Sequence, residues 1–381
     1  MPRISKNNVN LQKTGRVVEY AFNKAYDVTK DVNFISRFEN ADVYGDFVDE
    51  TLASAIMVNQ YPLMVYGKKL SMGGVGYVSS LPEYRGNGGI SRLMKEILAD
   101  LHEQGTAVSN LAPFSERFYR HFGYENTISK KKYDITPAAF SNLIREKGGL
   151  IKRGAFADEE ISAAVISLHD AVLKENERNT IIREKWWWNR LDTYYANRNI
   201  AVCYEDEKPT GYLIYRINGL EFIIDEFVHK TPISFKRLLN FVGTHNGQCT
   251  SFSYAAPVHE NIEEAFTEHE GITVTLVPYM MSRIIEVKKL LDCLPIDANI
   301  VLGVQEDDLC PWNVGNWVKD SAEGWHKTDE VPDISGPITA FSQLLLGESP
   351  LETMLSSGKL SGKKMKEFEK LNGKVSFYDY F

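Results

Sequence analysis

The residues from Pro82 to Ser91 read Pro-Glu-Tyr-Arg-Gly-Asn-Gly-Gly-Ile-Ser, types and a spacing suited to holding an anion. A β-prone run, Gly74-Val75-Gly76-Tyr77-Val78, precedes them. After them, Ile90, Leu93, Met94, Ile97, Leu98 and Leu101 recur at helical spacing as far as His102. A strand, a glycine turn and a helix start bring unpaired N–H groups and the positive end of the helix dipole to one point. Gly86, Gly88 and Gly89 let the backbone approach a pyrophosphate without a Cβ in the way, and Arg85 adds a fixed charge. The loop is no P-loop, because Gly89 is followed by Ile90-Ser91 rather than by Lys and Ser or Thr. Nor is it the Gly-x-Gly-x-x-Gly of a dinucleotide site. Taken alone, it also fits an ordinary tight turn.

A second cluster follows. Thr106 to Pro113 reads as a strand, and Ser115-Glu116-Arg117-Phe118-Tyr119-Arg120-His121-Phe122-Gly123-Tyr124 comes after it. By themselves Tyr119, Phe122 and Tyr124 would serve equally as core aromatics. Arg85 to Gly89, however, resembles the (Arg/Gln)-x-x-Gly-x-(Gly/Ala) signature of the GCN5-related N-acetyltransferases (GNAT). The Phe-Tyr-x-x-Phe-Gly-Tyr segment resembles that family's short helix, which carries a tyrosine beside the coenzyme A sulfur. The resemblance implies acetyl-CoA as cosubstrate, its pyrophosphate on the glycine loop, and Tyr119 as the acid that meets the departing thiolate.

Composition bounds the rest. A chain of 381 residues is expected to form two or three domains, and 43% hydrophobic with 12% aromatic residues is ample for their cores. No apolar run approaches the roughly 18 residues of a membrane span, and Met1 to Asn10 is not an apolar signal segment. Cys203, Cys249, Cys293 and Cys310 lack metal or redox spacing, so no metal is expected and the thiols suit a reducing cytoplasm. A net charge of −8 disfavours nucleic acid and mildly favours cationic substrates, amines included.

The elements that must position these groups alternate along the chain. Short, partly helical pieces are expected at 16–26 and 32–39, strands at 51–59, 61–67 and 129–135, and a connection over 137–154. The pattern then restarts, with helices at 161–175 and around Trp186-Trp187-Trp188. Strands follow at 200–204, 211–217 and 221–229, then a helix at 234–243 and a strand at 248–254. Residues 244–266 repeat the order of 102–122: helix end, glycine turn, strand, Ala-Pro, helix. In this second copy Phe227 to Ile233 stands where the Arg/Gly loop would be, so it is expected to lack coenzyme binding, unless the repeat is a chance likeness. The last hundred residues read as a different α+β module. Strands are expected at 299–304 and 315–319, a strand and helix at 334–347, and short helices at 351–357 and 363–371.

This layout resembles the enhanced intracellular survival (Eis) acetyltransferases over essentially the whole chain. The resemblance implies an α/β (α+β) chain of tandem GNAT folds with mixed twisted sheets. A catalytic domain would span 1–150, a second GNAT-like domain 151–285, and a sterol-carrier-protein-like domain 286–381. In that family the terminal main-chain carboxylate is the catalytic base, which here falls on Phe381. A tail with four aromatics in its last five residues, Phe377 to Phe381, packs somewhere, either for stability alone or to carry that carboxylate into the site. Coenzyme contacts carry over to Val78, Ser79, Ser80, Gly86, Asn87, Gly88, Gly89, Ile90, Ser91, Phe114 and Ser115. Arg85 is the one arginine left in the loop, so phosphate grip would be either weaker or supplied by Arg92 or backbone. Tyr380 stands where some relatives carry an acid, with Asp379 before it, so aminoglycoside activity does not transfer safely.

Phe22, Tyr26, Tyr77, Trp188 and Tyr380 are candidate pocket residues, each also a plausible core or interface residue. His102 and His121 are expected on solvated helix faces and not as bases. The acceptor would be a primary amine of aminoglycoside, polyamine or lysine type, on a cytoplasmic homo-oligomer, a hexamer by resemblance. A non-catalytic acyl-CoA or lipid-binding protein is the alternative.

Overall fold

The computed structural model describes residues 3–173, 177–194, 197–296, 300–320, 324–363 and 366–381. Helices α1 (Asn8–Ala21) and α2 (Val32–Glu39) open the chain. Asn7 and Asp31 cap them by accepting backbone N–H groups of the first turn. An antiparallel meander follows: β1 (Ala41–Val48), β2 (Thr51–Val65) and β3 (Lys68–Ser80). Helix α3 (Gly89–Glu103) carries the chain to β4 (Val108–Leu111), which pairs in parallel with β3. A single turn and a half, α4 (Glu116–Arg120), leads into β5 (Glu125–Ile135).

Then come β6 (Leu150–Gly154), α5 (Glu159–Val172), β7 (Thr180–Ile181) and α6 (Lys185–Tyr194). Strands β8 (Asn199–Glu205), β9 (Lys208–Asn218) and β10 (Glu221–His229) form a second meander. Helix α7 (Pro232–Gly243) crosses to β11 (Ser251–Pro257), parallel to β10, so the unit β3–α3–β4 has a counterpart in β10–α7–β11. Strand β12 (Ile272–Ile284) completes the sheet.

The sheet is continuous, in the order β1-β2-β3-β4-β12-β5-β11-β10-β9-β8-β6, with β7 paired to β2 off that path. Its centre is an exchange. Late in sequence, β12 lies between β4 and β5, and β5 lies between β12 and β11. Each half is thus completed by a strand from the other.

The last part begins with α8 (Val287–Leu291). Strands β13 (Leu302–Glu306), β14 (Gly315–Asp320), β15 (Gly324–Thr328), β16 (Ile334–Pro337) and β17 (Ser361–Gly362) form a separate sheet, ordered β15-β14-β13-β16-β17. Helix α9 (Ile338–Leu346) is buried along most of its length against β5 and β12, and α10 (Leu351–Ser356) follows. No helix of the described residues is long and apolar enough to cross a membrane.

Differences from expectation have local causes. The two strands expected at 51–59 and 61–67 are one, in which Asn59 accepts from Arg37 and Gln60 donates to Gln104. Strand β6 lies in the stretch expected as a connection. It is an edge strand, where exposed Lys152 and Arg153 are tolerated on a short segment. The helix expected to reach Glu175 stops at Val172, and Lys174 and Glu175 lie outside the described residues, as does Asn299 of the expected strand. The last expected helix is a 3₁₀ turn, Lys366–Lys370, with Lys364 and Met365 also outside the described residues. His102 is an interface residue: its ring bonds Glu286 and stacks on Trp312 at 3.8 Å, whereas His121 is exposed.

Exchanged β12 carries Arg283, buried against Asp307, whose Nη1 donates to the Phe122 carbonyl at 2.7 Å. This fixes the turn after α4. Gly123 there has φ +76°, and an added Cβ would lie 1.4 Å from Arg283 Nη1. Gly123→Ala is therefore expected to cost at least about 2 kcal/mol, read as a lowered midpoint in denaturant unfolding.

Candidate active site

Pairing between β3 and β4 runs from Met72 and Val108 to Val75 and Leu111, then stops. Just beyond, β3 bulges: Tyr77 and Val78 stand opposite Ile56 of β2, and Tyr77 takes φ +50°. The bulge turns β3 away from β4, leaving a wedge. Val75 to Val78 form one wall and Ala112, Pro113 and Phe114 the other, around a cavity of about 250 Å³. Tyr119, Tyr380 and Phe381 close it from the inner side, with Phe22, Arg37, Arg190 and Tyr194 around the rest.

At the outer end, Gly86 and Gly88 take φ of +85° and +77°. Gly88 begins α3 and no side chain caps that helix, so the N–H groups of its first turn, Gly89 to Ser91, lack intrahelical partners. A Cβ on Gly89 would lie 2.8 Å from both Asp46 Oδ2 and Ser54 Oγ, so glycine lets the helix start settle on β1 and β2. Arg85 and Asn87 are exposed beside this cradle, and Ile90 is half-buried under it. Arg92 is folded against the loop: its guanidinium bonds the Asp46 carboxylate at 2.9 Å and the Asn87 carbonyl at 2.9 Å, beside Gly88. The counterpart helix α7 is capped instead: Thr231 Oγ1 accepts the Ser234 N–H, Ser234 Oγ accepts the Thr231 N–H, and Pro232 at its first position has no N–H to offer.

Val78 to Ser80 carry β3 from the wedge toward the cradle. Ser79 Oγ donates to the Ala55 carbonyl at 3.2 Å, and Ser80 Oγ shares a bond with Ser54 Oγ at 2.7 Å. On the facing side, Ser115 caps α4 by accepting the Phe118 N–H, and Phe114, 72% exposed, stands edge-on to Tyr119 at the mouth. Tyr119 itself is buried. Burial pushes its phenol well above the usual tyrosine range, and nearby Tyr124 and Tyr380 add to that, so at neutral pH it is protonated and a donor.

The tail docks residue by residue. Ser376 bonds Glu177 at 2.7 Å, the Phe377 carbonyl accepts from Lys130, and the Tyr378 hydroxyl donates to the Phe227 carbonyl at 2.8 Å. Asp379 Oδ1 accepts from Arg183 Nε at 2.8 Å and from Trp187 Nε1 at 2.6 Å, and Arg183 also pairs with Glu226. Burial is nearly complete at Phe377, Asp379 and Phe381, while Tyr380 turns outward to line the cavity. The Phe381 ring stacks on Tyr61 at 5.3 Å. A Cβ on Gly76 would lie 3.0 Å from the Phe381 carboxyl carbon and 2.6 Å from Arg37 Nη2. The carboxyl therefore sits against the bulge and faces a cation as well as aromatic rings.

Phe22, Tyr77 and Tyr380 line the cavity. Tyr26 stands outside its lining, exposed, and bonds Asp31. Trp188 is not a pocket residue: it faces Phe156, His169 and Arg183 in the core of the second half. Its neighbours Trp186 and Trp187 pack on Tyr61 instead. Sequence reasoning missed Arg37 and Arg190. The available signal was the spacing of Trp187 and Arg190, three apart and so on one helix face.

The chain matches three family profiles: an acetyltransferase (GNAT) domain over residues 7–127, a second acetyltransferase (GNAT) domain over 180–284, and a sterol carrier protein domain over 287–375. Among solved structures it is similar to a conserved protein of unknown function from Enterococcus faecalis, described as a probable N-acyltransferase. Identity is 32% over 100% of this chain and 98% of that one, with a TM-score of 0.87. A GCN5-related N-acetyltransferase from Anabaena variabilis shares 19% identity over 98% of both chains, TM-score 0.84. Eis1 from Mycobacterium abscessus shares 18% over 100% of this chain and 99% of that one, TM-score 0.81. The last two likenesses are of fold. No curated protein matches the chain.

Lys130 ties β5 to the tail, and burial pushes its ammonium down to about 7 from 10.5. The unfolded chain keeps that proton up to about 10.5, so between the two values the unfolded state binds more protons and stability rises with pH. Below about 7 both states are protonated and the contribution is flat. Thermal unfolding from pH 6 to 9 is expected to show a rise above about 7 that Lys130→Met removes.

Proposed function

We propose a reaction for this chain, which belongs to the GNAT family of acetyltransferases in its Eis-like form and is an N-acetyltransferase. Acetyl passes from acetyl-CoA to a primary amine, with the Phe381 carboxyl as base and Tyr119 as acid. The observation that carries this reading is convergence: the tail and α4 bring both groups to one cavity where β3 and β4 part.

The cradle fits the cosubstrate. An uncapped helix start with two left-handed glycines offers N–H groups to a pyrophosphate, and Arg85 stands beside it. Acetyl-CoA supplies an activated thioester with a thiolate leaving group. The bulge at Tyr77 and Val78 frees backbone N–H groups to hold the pantetheine arm and polarise the thioester carbonyl. The Phe381 carboxyl takes the proton of the entering amine. Arg37 beside it disfavours an ammonium there, which helps to leave the neutral lone pair that attacks. Tyr119, held protonated by burial, gives its proton to the departing sulfur.

The same reading takes residues 1–150 as the catalytic domain, 151–285 as a GNAT-like domain without coenzyme binding, and 286–381 as the carrier-like domain. The closed cap of α7 supports the middle assignment. A cytoplasmic homo-oligomer, hexameric as the resemblance implies, belongs to this reading too.

The test is thiol release from acetyl-CoA with and without amines. The reading expects amine-dependent release, and Tyr119→Phe is expected to lower kcat by about 10²- to 10⁴-fold with coenzyme affinity unchanged. Equal kcat in that variant would remove Tyr119 from the chemistry.

A further inference from the structure

The chain as a whole is acidic, with a net charge of −8, yet the cavity is not. Lys24, Arg37 and Arg190 line it, and among the described residues no Asp or Glu side chain does. Arg37 and Arg190 are 1% and 5% exposed, and Arg37 Nη2 and Arg190 Nε have no hydrogen-bond partner among the described residues. No carboxylate side chain of those residues lies within 4 Å of either, whereas Arg183, Arg198, Arg216 and Arg283 each have one. Arg37 has the Phe381 carboxyl nearby, whereas keeping the Arg190 guanidinium this buried with no carboxylate beside it is unfavourable.

Aromatic rings offset part of that cost. Arg190 lies over Trp187 at 4.6 Å and over Tyr194 at 4.5 Å, and Arg37 lies over Tyr77 at 5.3 Å. Stacking uses the face of a guanidinium and leaves its in-plane N–H fork, the part that grips an oxyanion in two places. The cavity also continues, past Arg190, Tyr194 and Tyr380, into a groove of about 460 Å³. That groove carries Lys132, Arg198 and Arg216, with Asp225 between the two arginines.

We propose that the acceptor is a primary amine bearing an oxyanion, carboxylate or phosphate, a few bonds from its nitrogen, and that Arg190 is the residue that binds the oxyanion. This rests on the acetyltransferase reading and narrows its acceptor. A polycation would meet repulsion from three cations in the cavity, offset only by the Phe381 carboxyl. An amine that carries an anion finds the guanidinium fork, and its nitrogen is left on the side of Phe381 and Tyr119.

Thiol release measured with matched acceptors tests this. Lysine is compared with lysinamide and cadaverine, phosphoethanolamine with ethanolamine, and spermidine serves as the polycation. The expected result is a kcat/KM at least about tenfold higher for the anionic member of one pair, which also tells carboxylate from phosphate. Arg190→Gln is expected to raise KM for that acceptor about tenfold with kcat nearly kept, and not to raise KM for the counterpart that lacks the anion. Arg190→Lys, which keeps the charge and loses the fork, is expected to recover part of the loss. Release with spermidine or cadaverine that equals or exceeds both anionic amines overturns the inference alone. So does an Arg190→Gln effect that is equal on both members of a pair. Coenzyme binding with no release by any amine overturns the acetyltransferase reading and this inference with it.

Discussion

Asp379 brings a negative charge to a place with almost no solvent, and the structure depends on what meets it there. Arg183 and Trp187 both donate to the same carboxylate oxygen, and Arg183 is held in turn by Glu226 of β10. A buried ion pair adds little net stability once desolvation is counted, but it is unforgiving about position, because either partner alone is strongly unfavourable. Position is what the site needs. Two residues beyond Asp379, Phe381 lies with its ring on Tyr61 and its carboxyl against Gly76. Glycine at 76 is part of the same constraint, since a side chain there would displace either Arg37 or the chain end.

The exchange of β5 and β12 explains why so much of the chain serves one small cavity. Strand β12 closes the sheet beside β4 and supplies Arg283 to the turn that holds Tyr119. Strand β5, from the first half, supplies Lys130 to the tail. Tyr119 and the Phe381 carboxyl thus reach the wedge from distant parts of the sequence, each fastened by a residue from another part of it. Helix α6, from the middle of the chain, adds Trp187 and Arg190. The second half thus supplies position and charge to the cavity, while its own helix start equivalent to the Gly88 cradle is capped by Thr231 and Ser234.

Legibility in the sequence followed the range of the interactions. The glycine loop and the segment around Tyr119 are local: glycines adopt left-handed backbone, apolar residues recur along α3, and both can be read within twenty residues. The aromatic tail was legible as something that must dock, though not where. The strand exchange was not legible, since strand order depends on pairing between residues more than a hundred apart. Trp188 was misplaced because three consecutive indoles on a helix point different ways, and periodicity does not say which face meets the cavity. Arg37 and Arg190 stayed hidden for a related reason. An arginine in an amphipathic helix reads as a solvated residue until the fold shows it buried.

The central claim is that the docked carboxyl of Phe381 does chemistry and is not only an anchor. The most direct measurement compares the chain with one lacking Phe381, recording acetyl-CoA affinity by calorimetry and amine-dependent thiol release on the same preparations. The account predicts coenzyme affinity within about threefold and turnover reduced by at least about 10²-fold. Turnover that survives the deletion intact would contradict it.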